Sequence, residues 1–118
     1  MTSLGRDRVV RVNVFDPQGR NRQRRPAVVI STAEEIDATG EVVIVCISRQ
    51  YDQAPPAVQV ELPHDPRGTC RSGLRDPSWA VATWVMTVKV GDVEEILGSI
   101  SAAKTNTILE IIAGLDTA

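Results

Sequence analysis

Aromatic residues are scarce, with one Phe, one Tyr and two Trp making up 3% of the 118 residues. A core of ordinary density must then be assembled from Val, Ile, Leu and Ala, and too few rings exist to form a stacking platform for successive bases. Trp79 and Trp84 stand out as large anchors for a core or an interface. Histidine occurs once, and cysteine twice, at Cys46 and Cys70. Neither thiol has a CxxC spacing or a His cluster nearby, which leaves a buried free thiol and a loop thiol rather than a zinc site or a disulfide framework. No metal and no cofactor is expected. No run approaches the ~18 apolar residues of a membrane span, and residues 1–6 carry no apolar stretch of the signal-peptide kind. A cytoplasmic chain with no membrane association is expected.

What is present is ordinary globular material: 42% hydrophobic and 24% charged residues, enough for one core and too little chain for two. A single domain over 1–118 is expected, with 1–8 as a candidate flexible arm. The net charge of -2 conceals a division. Residues 1–25 hold seven Arg against Asp7 and Asp16 (7 - 2 = +5), and the rest hold six basic against thirteen acidic residues (6 - 13 = -7). A basic segment on an acidic body can bring a polyanion to one place and repel it elsewhere, although a solvated arm has the same composition.

Along the chain, Val10 to Val14 alternates apolar and polar residues as a half-buried strand does, and Asp16-Pro17-Gln18-Gly19 reads as a turn. Arg20 to Arg25 shows no apolar periodicity and is expected to form a mobile cationic loop before a strand over Pro26–Ser31. Glu41–Ser48 reads as a strand buried on both faces and Val58–Leu62 as an alternating one. Pro63–Asp76, with Pro66, Gly68 and Gly73, reads as a long connection, and Ala80–Val90 as a long strand or bent strand pair. Asp92 followed by Glu95 has the form of a capping box opening a short helix to Leu97, stopped by Gly98. A last helix capped by Ser101 would bury Ile108, Ile111, Ile112 and Leu115. Short strands followed by terminal helices predict a mainly β fold, a small closed barrel with appended helices.

Val12-Asn13-Val14-Phe15-Asp16-Pro17, a polar loop, then Arg25-Pro26-Ala27-Val28-Val29-Ile30-Ser31 resembles the opening of the MazF/PemK (Kid) toxin family. Later pieces keep the family's order: Val45-Cys46-Ile47-Ser48, an alternating strand, Gly73-Leu74, a segment ending Thr87-Val88, and a tail containing Gly98. The resemblance implies an SH3-like β-barrel, a homodimer with single-stranded RNA along the subunit groove, and control by a cognate antitoxin protein. It also implies metal-independent endoribonuclease chemistry, in which a ribose 2′-hydroxyl attacks the adjacent phosphate.

Arg25 matches the family's catalytic arginine, and its planar guanidinium suits a phosphorane gaining negative charge. Because a guanidinium stays protonated, electrostatic stabilisation describes its role better than proton donation. Ser48 stands where the family has a threonine and can hydrogen-bond a phosphate oxygen, or can simply end a strand. Arg20, Arg22 and Arg24 are candidate RNA contacts. Two departures concern the base: the first loop offers no glutamate, and the Asp-Gln pair of Kid-like members reads Thr83-Trp84. Asp16 and His64 are candidate replacements, each with a plainer reading as a turn or an exposed loop residue. Arg75 and Asp76 could face the groove or build an Asp-Pro turn. A catalytically impaired RNA- or protein-binding module, or a gyrase poison resembling CcdB, remains open, since fold alone does not decide function.

Overall fold

The structure, a computed structural model, describes residues 4–15, 22–49, 56–67 and 70–116. Six strands form one antiparallel sheet: β1 (Arg8–Phe15), β2 (Arg22–Val29), β3 (Glu41–Ser48), β4 (Gln59–Leu62), β5 (Ser78–Lys89) and β6 (Val93–Ser99). Helix α1 (Ala33–Thr39) joins β2 to β3, and α2 (Ala102–Asp116) ends the chain. The strand order is β4-β5-β3-β2-β1-β6.

That order forces the sheet to curl. β5 and β6 lie four strand intervals apart, about 19 Å in a flat sheet. Only Val90–Asp92 separates them in sequence, a link too short to cross that gap, which spans at most about 14 Å even when extended. The sheet therefore rolls until β6 approaches the end of β5. Hydrogen-bonded pairing leaves β4 and β6 at the two ends, so the closed barrel expected from the alternation is realised as a rolled, open sheet.

Both faces are covered, in accord with the apolar runs. On one face Val9, Val28, Val45, Ile47 and Leu62 pack with Ile108 of α2. On the other, Val10, Val12, Ala27, Val29, Ile44 and Cys46 pack with Ile36 of α1 and, around the curl, with Val88, Val93 and Ile96. α2 is capped as expected, with the Lys104 amide donating to Ser101 Oγ at 3.3 Å. Its apolar face stops a turn early, leaving Leu115 43% exposed.

Three local expectations are corrected. The predicted helix after Asp92 is strand β6. The residues 22–25, expected in a mobile loop, belong to β2 and pair with β1 from Phe15↔Arg22 to Val12↔Arg25. Pairing of β2 with β3 begins only at Ala27↔Cys46, so Pro26, which has no amide proton to donate, sits where one side of the strand has no ladder to complete. Finally, α1 has no counterpart in the periodicity. It is seven residues long and buries only Ile36, but its ends are well made. Thr32 and Glu35 form a reciprocal capping box, which holds the Glu35 carboxyl below its usual range chiefly through the Thr32 amide, and Gly40 closes the helix at φ 71°.

Candidate functional site

Where β2 runs past the end of its ladder with β3, a cleft of about 340 Å³ opens. The β1–β2 hairpin supplies Arg11, Arg24 and Arg25, the end of β3 supplies Arg49, and the 63–77 connection supplies Arg75 and Asp76. Among the described residues, five arginines and one carboxylate line it, which gives it an excess of positive charge. Its floor is apolar, from Ile47, Leu74 and Leu97. Such a surface suits a phosphodiester chain, whose charge needs guanidinium forks and whose sugars tolerate an apolar base.

Arg25 is partly buried in β2, with its guanidinium carbon 5.1 Å from the centre of the Trp84 ring. Stacking on the indole restricts the long side chain while keeping its charge. The neighbouring Cys46 registers that charge: burial pushes its thiol up to about 12, against a downward pull from Arg25. Ser48 is buried at the end of β3, paired with Trp79 of β5. Carrying the register Ala27↔Cys46 two residues beyond the ladder brings Arg25 level with Ser48, on the same face by the alternation of side chains. The strand order thus brings the two residues singled out by the sequence to one place, although only Arg25 is among the residues lining the cleft.

The cleft's far wall is fixed by close backbone packing. Gly73, at φ +73°, leaves room for Leu97, whose carbonyl oxygen would lie 2.2 Å from a Cβ at that position. Reciprocally, a Cβ on Gly98 would lie 2.1 Å from the Arg71 carbonyl oxygen. The Ser99 amide donates to that same oxygen at 2.8 Å, and the Ser72 hydroxyl donates to the Pro63 carbonyl at 2.7 Å. The segment 70–74 is therefore clamped on β6, which sets where Arg75 and Asp76 emerge.

Carboxylates reach the rim from β6 and from the connection. Glu95 pairs with Arg11, Glu94 with Arg24 Nε at 3.1 Å, and Asp76 with Arg49 at 3.5 Å. Of the remaining expected site residues, Asp16 and Arg20 lie outside the described residues, and Arg22 is described in its backbone alone. His64 is exposed on the 63–77 connection and is not part of the cleft lining. The sequence reading missed Arg11, Arg49, Glu94 and Glu95. The signal for Arg11 was present, since it takes a polar turn in an alternating strand beside Pro26, but the other three converge only through the curl of the sheet. Among the described residues no group of three or more His, Cys, Asp or Glu is placed to hold a metal ion, and no helix is long and apolar enough to cross a membrane.

Comparison with known proteins bears on the whole chain. Its fold is similar to that of MazF from Deinococcus radiodurans, with a TM-score of 0.75 and 20% identity over 100% of both chains. A MazE–MazF complex from the same organism gives 0.75 at 18% identity, covering 99% of this chain and 98% of that one. A mycobacterial endoribonuclease in complex with its cognate antitoxin gives 0.70 at 20% identity, covering 98% and 96%. No curated protein matches the chain. The profile of the PemK-like, MazF-like toxins of type II toxin–antitoxin systems matches residues 6–115, and it is to this family that the chain belongs.

Proposed function

We propose that the chain is the toxin of a toxin–antitoxin pair and acts in the cytoplasm as a homodimeric, metal-independent endoribonuclease on single-stranded RNA, restrained by a cognate antitoxin. The observation that carries the reading is the cluster of arginines around one cleft where β2 outruns β3, with Arg25 at the same point of β2 held against Trp84. Guanidinium groups match the negative charge, up to about two units, that gathers on a phosphodiester as it becomes a phosphorane.

In the proposed reaction the ribose 2′-oxygen forms a bond to phosphorus as the bond to the 5′-oxygen breaks, giving a 2′,3′-cyclic phosphate and a 5′-hydroxyl. The 2′-proton leaves to water or to a carboxylate, Asp76 being the carboxylate among the described lining residues. The leaving 5′-oxygen takes a proton from solvent. Arg25 stabilises charge on the non-bridging oxygens, and Ser48 donates a hydrogen bond to one of them. Arg24 and Arg22 hold flanking phosphates. Val85 of β5 and Val90 just after it, 41% and 42% exposed, are apolar side chains that burial against a second copy would favour.

A second reading, an RNA-binding module without catalysis, draws on the absence of the family's carboxylates, with Thr83-Trp84 standing where Kid-like members have an Asp-Gln pair. Incubating an RNA oligonucleotide with excess protein in EDTA separates the two. Cleavage is expected, and Arg25→Ala should lower its rate by about 100-fold or more, the effect of removing one oxyanion donor. Intact RNA alongside measurable binding would leave the module as the function.

A further inference from the structure

β6 is irregular in a way that serves the cleft. Its register against β1 runs Val12↔Val93, Arg11↔Glu95, Val10↔Ile96 and Val9↔Gly98, so Glu94 and Leu97 are extra residues with no partner of their own. Such bulges turn two consecutive side chains toward one side of a strand. Here the consecutive pair is Glu94 and Glu95, and each meets a different cleft arginine: Glu94 meets Arg24 and Glu95 meets Arg11. Arg11 and Arg24 share a face of the hairpin, since Asn13, two residues from Arg11, lies directly across from Arg24. Two acidic side chains are thus delivered, by one extra residue, onto two members of a cationic cluster.

Resting on the nuclease reading above, we propose that Arg11 and Arg24 form a phosphate subsite on the face of the hairpin opposite the Arg25–Trp84 stack, and that Glu94 and Glu95 are its built-in counter-ions, which the phosphates of a bound RNA strand displace. All four groups are accessible for exchange: the side chains of Arg11 and Glu95 are 44% and 50% exposed, and those of Arg24 and Glu94 71% and 33%. Ion pairs this exposed are weak, so a phosphodiester can compete for the arginines. The mask also keeps the cleft from gripping every polyanion equally.

Salt dependence distinguishes a masked subsite from a free one. A phosphate that meets an unmasked arginine releases the cation condensed on it, whereas a phosphate that displaces a glutamate leaves a carboxylate to take up a cation in its place. The net release at Arg11 and Arg24 is then close to zero. Binding of a 2′-O-methyl RNA oligonucleotide, which the enzyme cannot cleave, is measured by fluorescence anisotropy across a salt series for the wild type, Glu94→Gln, Glu95→Gln and the double variant. Each single change is expected to tighten binding roughly one and a half- to fivefold, the range spanned by exposed ion pairs. The double variant is expected to steepen the slope of log K against log salt by about 1.4, two single-strand phosphates at about 0.7 each. Glu34→Gln, which removes an equal charge from the exposed side of α1, should leave the slope unchanged. Glutamine matches glutamate in size, and a thermal melt for each variant establishes that it is folded. Wild-type binding with unaltered affinity and slope in the double variant overturns this inference and leaves the nuclease reading standing. A slope that steepens equally in Glu34→Gln also overturns it, and absence of binding in every variant removes both.

Discussion

Gly73 and Gly98 offer a graded test of how the cleft wall is held, because Gly40 provides the missing control. At Gly40 the backbone is left-handed, φ +71°, with nothing within 4 Å of an added Cβ, so Gly40→Ala isolates the conformational cost. That cost is about 1–2 kcal/mol. Gly98 has no left-handed backbone, but a Cβ there meets the Arg71 carbonyl oxygen at 2.1 Å and the Ser72 backbone at 2.6 Å. Backbone cannot rotate aside as a side chain does, so Gly98→Ala carries a steric cost of about 1–3 kcal/mol. Gly73 combines both, φ +73° and a contact of 2.2 Å to the Leu97 oxygen, giving about 2–5 kcal/mol for Gly73→Ala. Since both clashes are relieved by the same lifting of residues 70–74 from β6, the double variant should cost less than the sum. Urea unfolding followed by circular dichroism reads each midpoint at constant m. The lifted segment also carries Arg75 and Asp76 away from the cleft, so RNA binding should weaken in Gly73→Ala and Gly98→Ala but not in Gly40→Ala. A Gly98→Ala variant within about 0.5 kcal/mol of wild type would refute the close-packing argument.

Other consequences are more local. Trp84→Phe keeps a ring beneath Arg25 and should retain most cleavage, whereas Trp84→Ala should lower kcat more than it raises KM; equal rates for the two would deny the indole a positioning role. Thr32→Ala removes the capping box of α1 and should cost about 1 kcal/mol in a urea melt, with RNA affinity unchanged. The thiol of Cys46, buried and pushed up to about 12 from 9.0, should be inert to a disulfide reagent at pH 8 in the native protein, where half-buried Cys70 reacts first and both react after unfolding. Because that pKa is raised on folding, its stabilising contribution is complete below pH 9.0 and is lost as pH rises toward 12, so unfolding midpoints should fall in that window; a midpoint that Cys46→Ala leaves equally pH-sensitive there would assign the effect elsewhere.

Much of the fold was legible because period-two alternation is a local property. β1, β3, β4 and β5 follow directly from it, as does α2 from its Ser101 cap and apolar spacing. β6 was not legible, for a reason its register explains. The extra residues Glu94 and Leu97 break the alternation and leave apolar side chains at Val93, Ile96 and Leu97, which is a helical spacing in a strand. The acidic residues after Asp92 then complete a false capping box. The true one, Thr32 to Glu35, opens a helix so short that its single buried residue sets no period. Arg22–Arg25 looked like a loop because a strand paired on one side only, beyond its neighbour's end, needs no apolar face. In the site, Arg25 was visible through its motif with Pro26. The charges around it come from β1, β3, β6 and the 63–77 connection, and their meeting depends on how far the sheet rolls, which no short stretch of sequence encodes.

The most direct measurement of the central claim is the chemistry of the RNA ends. Fragments made by the purified protein in EDTA should accept a 5′-phosphate from polynucleotide kinase without prior phosphatase treatment. They should carry a 2′,3′-cyclic phosphate by mass, and fall by about 100-fold in yield rate with Arg25→Ala. Fragments bearing 5′-phosphates, or an Arg25→Ala protein that cuts at the wild-type rate, would contradict it.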